Sequence, residues 1–80
     1  MIVKSYLAFP HKGQRENLQS SIQEISGCHV IPSENQEVLI VVSESSDLKE
    51  EEQIFDKINI LKALDHITLV SGFDDTANLN

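Results

Sequence analysis

The segment SGCHVIPSENQEVLIVV, residues 26–42, decides the fold of this chain. It predicts a helix end at Gly27, then a strand, a polar turn near Glu34–Glu37, and a second strand. This second strand is apolar on both faces, because side chains alternate across a strand and every residue of 38–42 is apolar. Such a strand must be covered twice or must leave one face for a partner. The sequence supplies enough helix to cover one face only.

The residues before this segment predict one strand and one helix. Ile2–Phe9 reads as a strand that Pro10 closes, because proline cannot donate to a sheet ladder. Apolar residues then recur at helical spacing over about residues 14–26. They are Leu18, Ile22 and Ile25.

The residues after the segment repeat the same order. Asp47 and Glu50 resemble a capping box and predict the start of a second helix. A last strand is expected over about His66–Phe73, and the polar tail 74–80 is expected to fray. The order βαββαβ predicts one domain, residues 1–80, of the α+β ferredoxin-like class. Its four-stranded antiparallel sheet should carry both helices on one face.

The other face of the sheet is expected to be open and apolar. Lys4 is expected on this face, because a charged side chain is not expected beneath helices. Val3, Ser5 and Leu7 would then point toward the helices, as would Val38, Ile40 and Val42 on the third strand. The residues predicted on the open face are Tyr6, Ala8, Ile31, Leu39, Val41, Thr68 and Val70. Such a platform predicts either a separate binding partner or a homodimer packed sheet to sheet.

Composition argues against several classes of function. The net charge of −7 argues against binding to nucleic-acid phosphates, and no run approaches the roughly 18 apolar residues of a membrane span. The start MIVKSYLAF is not expected to be a secretory signal, and Cys28 is the single cysteine, so we expect a cytoplasmic protein.

The sequence predicts no enzyme, metal or cofactor. It has no glycine-rich phosphate loop, and Cys28 has no CxxC partner. His11, His29 and His66 lack metal-ligand spacing. The carboxylates at 50–52 are expected to complement the dipole of a first helical turn, without a chemical role.

Three stretches, VKSYLAF, GCHVIPS…NQEVLIVVSE and DHITLVSGFDD, resemble the NapD family over about residues 2–75. The resemblance implies a non-enzymatic cytoplasmic chaperone that binds a twin-arginine (Tat) signal peptide. Its client would be the precursor of the catalytic subunit of periplasmic nitrate reductase, held back until the molybdenum cofactor is inserted. The predicted platform would receive the apolar part of the peptide. Its arginines would contact acidic residues at strand ends, namely Glu37, Glu44, Asp74 or Asp75.

The fold alone leaves a second class of function open. Many ferredoxin-like domains are dimeric regulatory modules that bind a small metabolite between subunits. The sequence is compatible with a monomer or a weak homodimer. An obligate dimer with a polar pocket at its interface would favour the regulatory module, and a monomer with an exposed apolar sheet would favour the chaperone.

Overall fold

The computed structural model describes residues 1–31, 34 and 37–74, and for residues 71–74 it describes the backbone alone. The elements are β1 (Ile2–Pro10), α1 (Arg15–Gln23), β2 (Cys28–Ile31), β3 (Leu39–Ser45), α2 (Leu48–Asn59) and β4 (Leu64–Asp74). All neighbouring strands are antiparallel, in the order β2-β3-β1-β4. This confirms the predicted βαββαβ ferredoxin-like fold.

Local signals in the sequence set the ends of the helices. Gly27 has a φ of 90°, the left-handed backbone expected just past a helix end. Its carbonyl oxygen accepts a hydrogen bond of 2.8 Å from the backbone N–H of Glu44, which joins the helix end to β3. At the start of α2, the Asp47 carboxylate accepts a 2.8 Å bond from the Glu50 N–H. The predicted helix start at Asp47 is therefore confirmed.

Both helices pack on the same face of the sheet. Leu18 and Ile22 of α1 and Ile54 and Ile58 of α2 are buried. Together with buried strand residues they form one hydrophobic cluster, whose members are Tyr6, Ala8, Leu18, Ile22, Cys28, Leu39, Val41, Ile54, Ile58 and Leu64. Leu48, in the first turn of α2, is 60% exposed and does not belong to the cluster.

The predicted faces of β1 and β3 were wrong. Tyr6 is 3% exposed, and Ala8, Leu39 and Val41 are fully buried beneath the helices. Since neighbours in a strand point to opposite faces, Leu7, Ile40 and Val42 lie on the open face, together with Val3 and Ser5. Val38 is buried just before β3 begins.

The predicted face of β1 was wrong because it rested on the charge of Lys4. It lies half-buried on the helix side and lines a cleft with Glu52 and Asp56 of α2. A lysine can lay its methylene stem along a packed surface while the ammonium group stays near water and carboxylates. One charge in a strand was therefore a weak guide to the buried face.

Strand alternation in the sequence predicts Cys28, Val30, Ile67 and Leu69 on the helix side, and His29, Ile31, Thr68 and Val70 on the open side. The structure agrees with these predictions more closely. Cys28 is buried and Val30 packs against the core, whereas His29 and Ile31 are exposed. Ile67 packs against the core. Leu69 pairs with Tyr6 on the helix side but is 52% exposed, because β4 is the outer strand of the sheet.

The bounds of several elements differ from the expectation. The first helix ends at Gln23, and β4 begins at Leu64 and continues to Asp74. A register shift between Ser5 and Tyr6 leaves Val70 as the extra residue of a bulge in β4. The sequence predicts the second strand over about Cys28–Ser33, and its end at Ser33 lies outside the described residues, as does the tail 75–80. Among the described residues, no helix has the length and apolar character of a transmembrane segment.

Candidate functional site: the open sheet face

We define the open face as the side chains that point away from α1 and α2. Strand alternation and register assign its members, which are Val3, Ser5, Leu7, Phe9, His29, Ile31, Ile40, Val42, Glu44, His66 and Thr68. No helix of the described chain packs on this side, because both helices belong to the cluster on the opposite side. The open face is therefore a whole sheet face that no described helix covers.

Apolar side chains are concentrated in one row near the centre of the open face. One row across the sheet consists of Ile31, Ile40, Leu7 and Thr68, which the strand register places side by side. Ile31 is 45% exposed, and Leu7 and Ile40 are half-buried by their strand neighbours. Contiguous apolar surface of this kind usually marks an interaction site.

One end of the open face is acidic. Val3 pairs with the exposed Glu44 at this end. Beside it lies a cleft of about 330 Å³, which Glu44 shares with Glu50. The backbone N–H and the hydroxyl of Ser46 donate to the Glu50 carboxylate at 2.6 and 2.9 Å, and these bonds lower the pKa of Glu50. Glu50 is therefore ionised at neutral pH.

The opposite end carries aromatic and histidine rings. The rings of Phe9 and His66 stack with their centres 4.2 Å apart and their planes at 10°. The Asp65 carboxylate lies 3.1 Å from His66 Nδ1 and 3.7 Å from His11 Nδ1. Lys12 lines the adjoining cleft of about 450 Å³. This end therefore mixes both signs of charge.

The structure separates the residues that were predicted to bind the apolar part of a ligand. Tyr6, Ala8, Leu39 and Val41 are in the core and cannot touch a ligand on the open face without unfolding. Ile31 and Thr68 lie on the open face, and Val70 is 57% exposed at the bulge. Their role in binding stays a prediction. The sequence assignment missed Val3, Leu7, Phe9, Ile40 and Val42.

The acidic residues that were predicted to contact the arginines do not lie together. Glu44 is exposed on the open face, at its acidic end. Glu37 lines the cleft at the opposite end, with Lys12 and His66. The side chain of Asp74 and the whole of Asp75 lie outside the described residues. Of these four residues, Glu44 is therefore the one that the structure places on the open face, beside Val3 and Val42.

A buried carboxylate lies beneath the sheet and was not expected. Glu51 of α2 is 2% exposed, although the sequence predicts only that it complements the dipole of a first helical turn. Its Oε2 accepts hydrogen bonds from the Tyr6 hydroxyl at 2.6 Å and the Ser43 hydroxyl at 2.7 Å. Its Oε1 accepts one from the Ser45 hydroxyl at 2.9 Å. These three bonds compensate for part of the cost of burying the charge.

This carboxylate also affects its neighbours. Burial, the hydrogen bond to Glu51 and its charge raise the pKa of Tyr6 well above the usual range. Burial raises the pKa of the Cys28 thiol to about 11, the Glu51 charge adds to the rise, and Lys57 opposes it. A thiol with a raised pKa is a poor nucleophile at neutral pH. Within the described ranges, no group of three His, Cys, Asp or Glu side chains is arranged to hold a metal ion.

Comparison with known proteins gives one informative result. No protein-family model matches the sequence, and no curated protein matches it significantly. A similar solved structure is the solution structure of the E. coli Tat proofreading chaperone protein NapD, with a TM-score of 0.79 and 21% sequence identity. The match covers 86% of this chain and 74% of that one. The chain therefore has the ferredoxin-like fold of NapD.

Proposed function

We propose that this chain acts as a single-domain, non-enzymatic chaperone in the cytoplasm, and that its open face binds a twin-arginine signal peptide. The observation that carries the proposal is an uncovered apolar sheet face on a fold shared with a Tat proofreading chaperone. The client would be the precursor of the periplasmic nitrate reductase catalytic subunit, as the sequence resemblance implies.

The chemistry of the open face suits such a peptide. A twin-arginine signal joins a basic segment to a moderately apolar one. The apolar segment, as an amphipathic helix, can pack on Leu7, Ile31, Ile40 and Val42. The basic segment is attracted by a chain whose net charge is −7. Glu44 offers it a carboxylate on the open face, at the end where it pairs with Val3.

Titration calorimetry with a synthetic signal peptide of the reductase precursor tests the proposal. We expect saturable one-to-one binding, weakened when both arginines are changed to lysine, because lysine lacks the planar fork of donors that pairs with a carboxylate. A shuffled peptide of the same composition is the control. Equal binding of the native and shuffled peptides would contradict the proposal.

The solution mass of the free chain tests the other class of function. The chaperone requires the open face to be available, so we expect a monomer or a weak dimer that the peptide dissociates. A dimer that persists at nanomolar concentration and does not bind the peptide would contradict the chaperone and favour a regulatory module with its ligand between subunits.

A further inference from the structure

The open face has a charge polarity that runs along its strands. At the end where Val3 pairs with Glu44, the cleft is lined by Met1, Glu44, Ser45, Ser46 and Glu50. No lysine, arginine or histidine side chain of the described chain lines this cleft. The hydrogen bonds from Ser46 keep Glu50 ionised behind Glu44. Two carboxylates therefore line the cleft at this end, and that of Glu44 is the one placed on the open face.

The opposite end does not offer the same attraction. Its open-face rings, Phe9 and His66, are adjoined by Lys12 and His11. The cleft here also contains Arg15 and a second carboxylate, Glu37, and Asp65 lies within 4 Å of both imidazoles. A basic segment bound at this end would lie near the ammonium group of Lys12, which repels it, and near Asp65, whose carboxylate already contacts two imidazoles.

The distance between the two ends matches a short helix. Val3 and Phe9 are the first and last open-face residues of β1, and at about 3.3 Å per residue they lie ~20 Å apart. A helix rises about 1.5 Å per residue, so about 13 helical residues cover this distance. Between the ends, the row of Ile31, Ile40 and Leu7 is apolar, whereas Val42 lies between His29 and Ser5.

We propose that the peptide lies along the strands in one orientation, with its basic end at Glu44 and its apolar end over Phe9 and His66. This inference rests on the proposed function and adds the orientation of the ligand. Glu44 is then the residue that selects the basic end, because it lies on the open face beside Val3 and Val42 and shares its cleft with the ionised Glu50. A peptide with the same residues in reverse order would place its arginines beside Lys12.

A matched pair of charge reversals tests the role of Glu44. Glu44→Lys changes the acidic end, and Glu52→Lys makes the same change in net charge at an exposed position of α2, on the other side of the sheet. The probe is a synthetic peptide with two adjacent arginines followed by an apolar helical segment of about 13 residues. We expect Glu44→Lys to weaken binding at least about tenfold and Glu52→Lys by less than about threefold. Equal losses would contradict a specific role for Glu44.

Nitroxide labels test the orientation. A label at the arginine end of the peptide should broaden the amide NMR signals of Val3 and Glu44, and a label at the other end those of Phe9 and His66. The reverse pattern, or equal broadening at both ends, would overturn the proposed orientation while leaving binding to the open face intact. If neither labelled peptide binds the unmodified chain, the proposed function fails, and the orientation fails with it.

Discussion

The hydroxyl of Tyr6 donates a hydrogen bond of 2.6 Å to the Glu51 carboxylate, although 45 residues separate the two along the chain. Tyr6 lies in the central strand β1, and Glu51 lies in the first turns of α2. Ser43 and Ser45 of β3 donate to the same carboxylate. The cluster fixes α2 over the two central strands, and it thereby determines which face of the sheet stays open.

Tyr6→Phe should lower the free energy of unfolding by about 1–2 kcal/mol, because Glu51 keeps two of its three donors. Glu51→Ala should cost more, about 3 kcal/mol or above, since it leaves three hydroxyl groups without their acceptor and opens a cavity. Urea unfolding followed by circular dichroism measures both values. A Glu51→Ala variant as stable as Tyr6→Phe would show that the cluster does not anchor the helix.

Val41 and Val42 are neighbours in β3 but should respond to glutamate in opposite ways. Val41→Glu places an unpaired charge in the core and should cost about 3–5 kcal/mol, enough to unfold much of the protein. Val42→Glu lies on the open face and should leave the chain folded while weakening peptide binding. Thermal unfolding and peptide titration separate the two effects. A folded Val41→Glu variant that has lost peptide binding would instead indicate that Val41 lies on the open face, as the sequence predicts.

Two glycines with similar φ angles should differ in their tolerance of alanine. A Cβ at Gly27 would lie 2.7 Å from the backbone oxygen of Glu44, whereas nothing lies within 4 Å of one at Gly13. Gly13→Ala should lower the free energy of unfolding by about 1 kcal/mol, because alanine disfavours the left-handed backbone at this position. Gly27→Ala should cost about 3 kcal/mol, because the contact with β3 must also shift. Equal losses in urea unfolding would argue against this close approach.

Stability should fall as the pH rises above about 8.5. The unfolded chain loses the Cys28 proton near pH 8.5 and the Tyr6 proton near pH 10, whereas the folded chain holds the thiol proton until about pH 11 and the phenol proton higher still. The unfolded state thus binds fewer protons in this window, so the free energy of unfolding decreases with pH. Below pH 8.5 this contribution is fully present.

Cys28→Ala identifies the thiol part of this pH dependence. Urea unfolding at a series of pH values should show a shallower decline between about pH 8.5 and 10 in the variant than in the unmodified chain. Alkylation of the native thiol with iodoacetamide should likewise be slow at pH 8 and fast in urea. Identical slopes for the two proteins would contradict the raised pKa of Cys28.

The fold could be predicted because its signals are local. Gly27 and the Asp47–Glu50 pair bound the helices, and apolar periodicity locates most of the buried helix positions. On β2, alternation placed Cys28 inward and Ile31 outward. The order of elements then restricts the topology to a few arrangements.

The faces of β1 and β3 could not be predicted from the same signals. Residues 38–42 are apolar on both sides, so periodicity does not distinguish Leu39 and Val41 from Ile40 and Val42. The deciding residues, Ser43 and Ser45, look like surface residues until Glu51 of α2 supplies their acceptor. The sequence does contain the four polar residues of this cluster, on β1, β3 and α2. They indicate the buried face only when the fold brings the three elements together.

The most direct test of the central claim is an amide NMR titration of the chain with the twin-arginine signal peptide. The account predicts shifts concentrated on the open-face residues Leu7, Ile31, Ile40 and Val42, with small shifts in α1 and on the outer surface of α2. The Val42→Glu variant should show the same folded spectrum without these shifts. Shifts centred on the helices, or no shifts at high peptide excess, would contradict peptide binding by the open face.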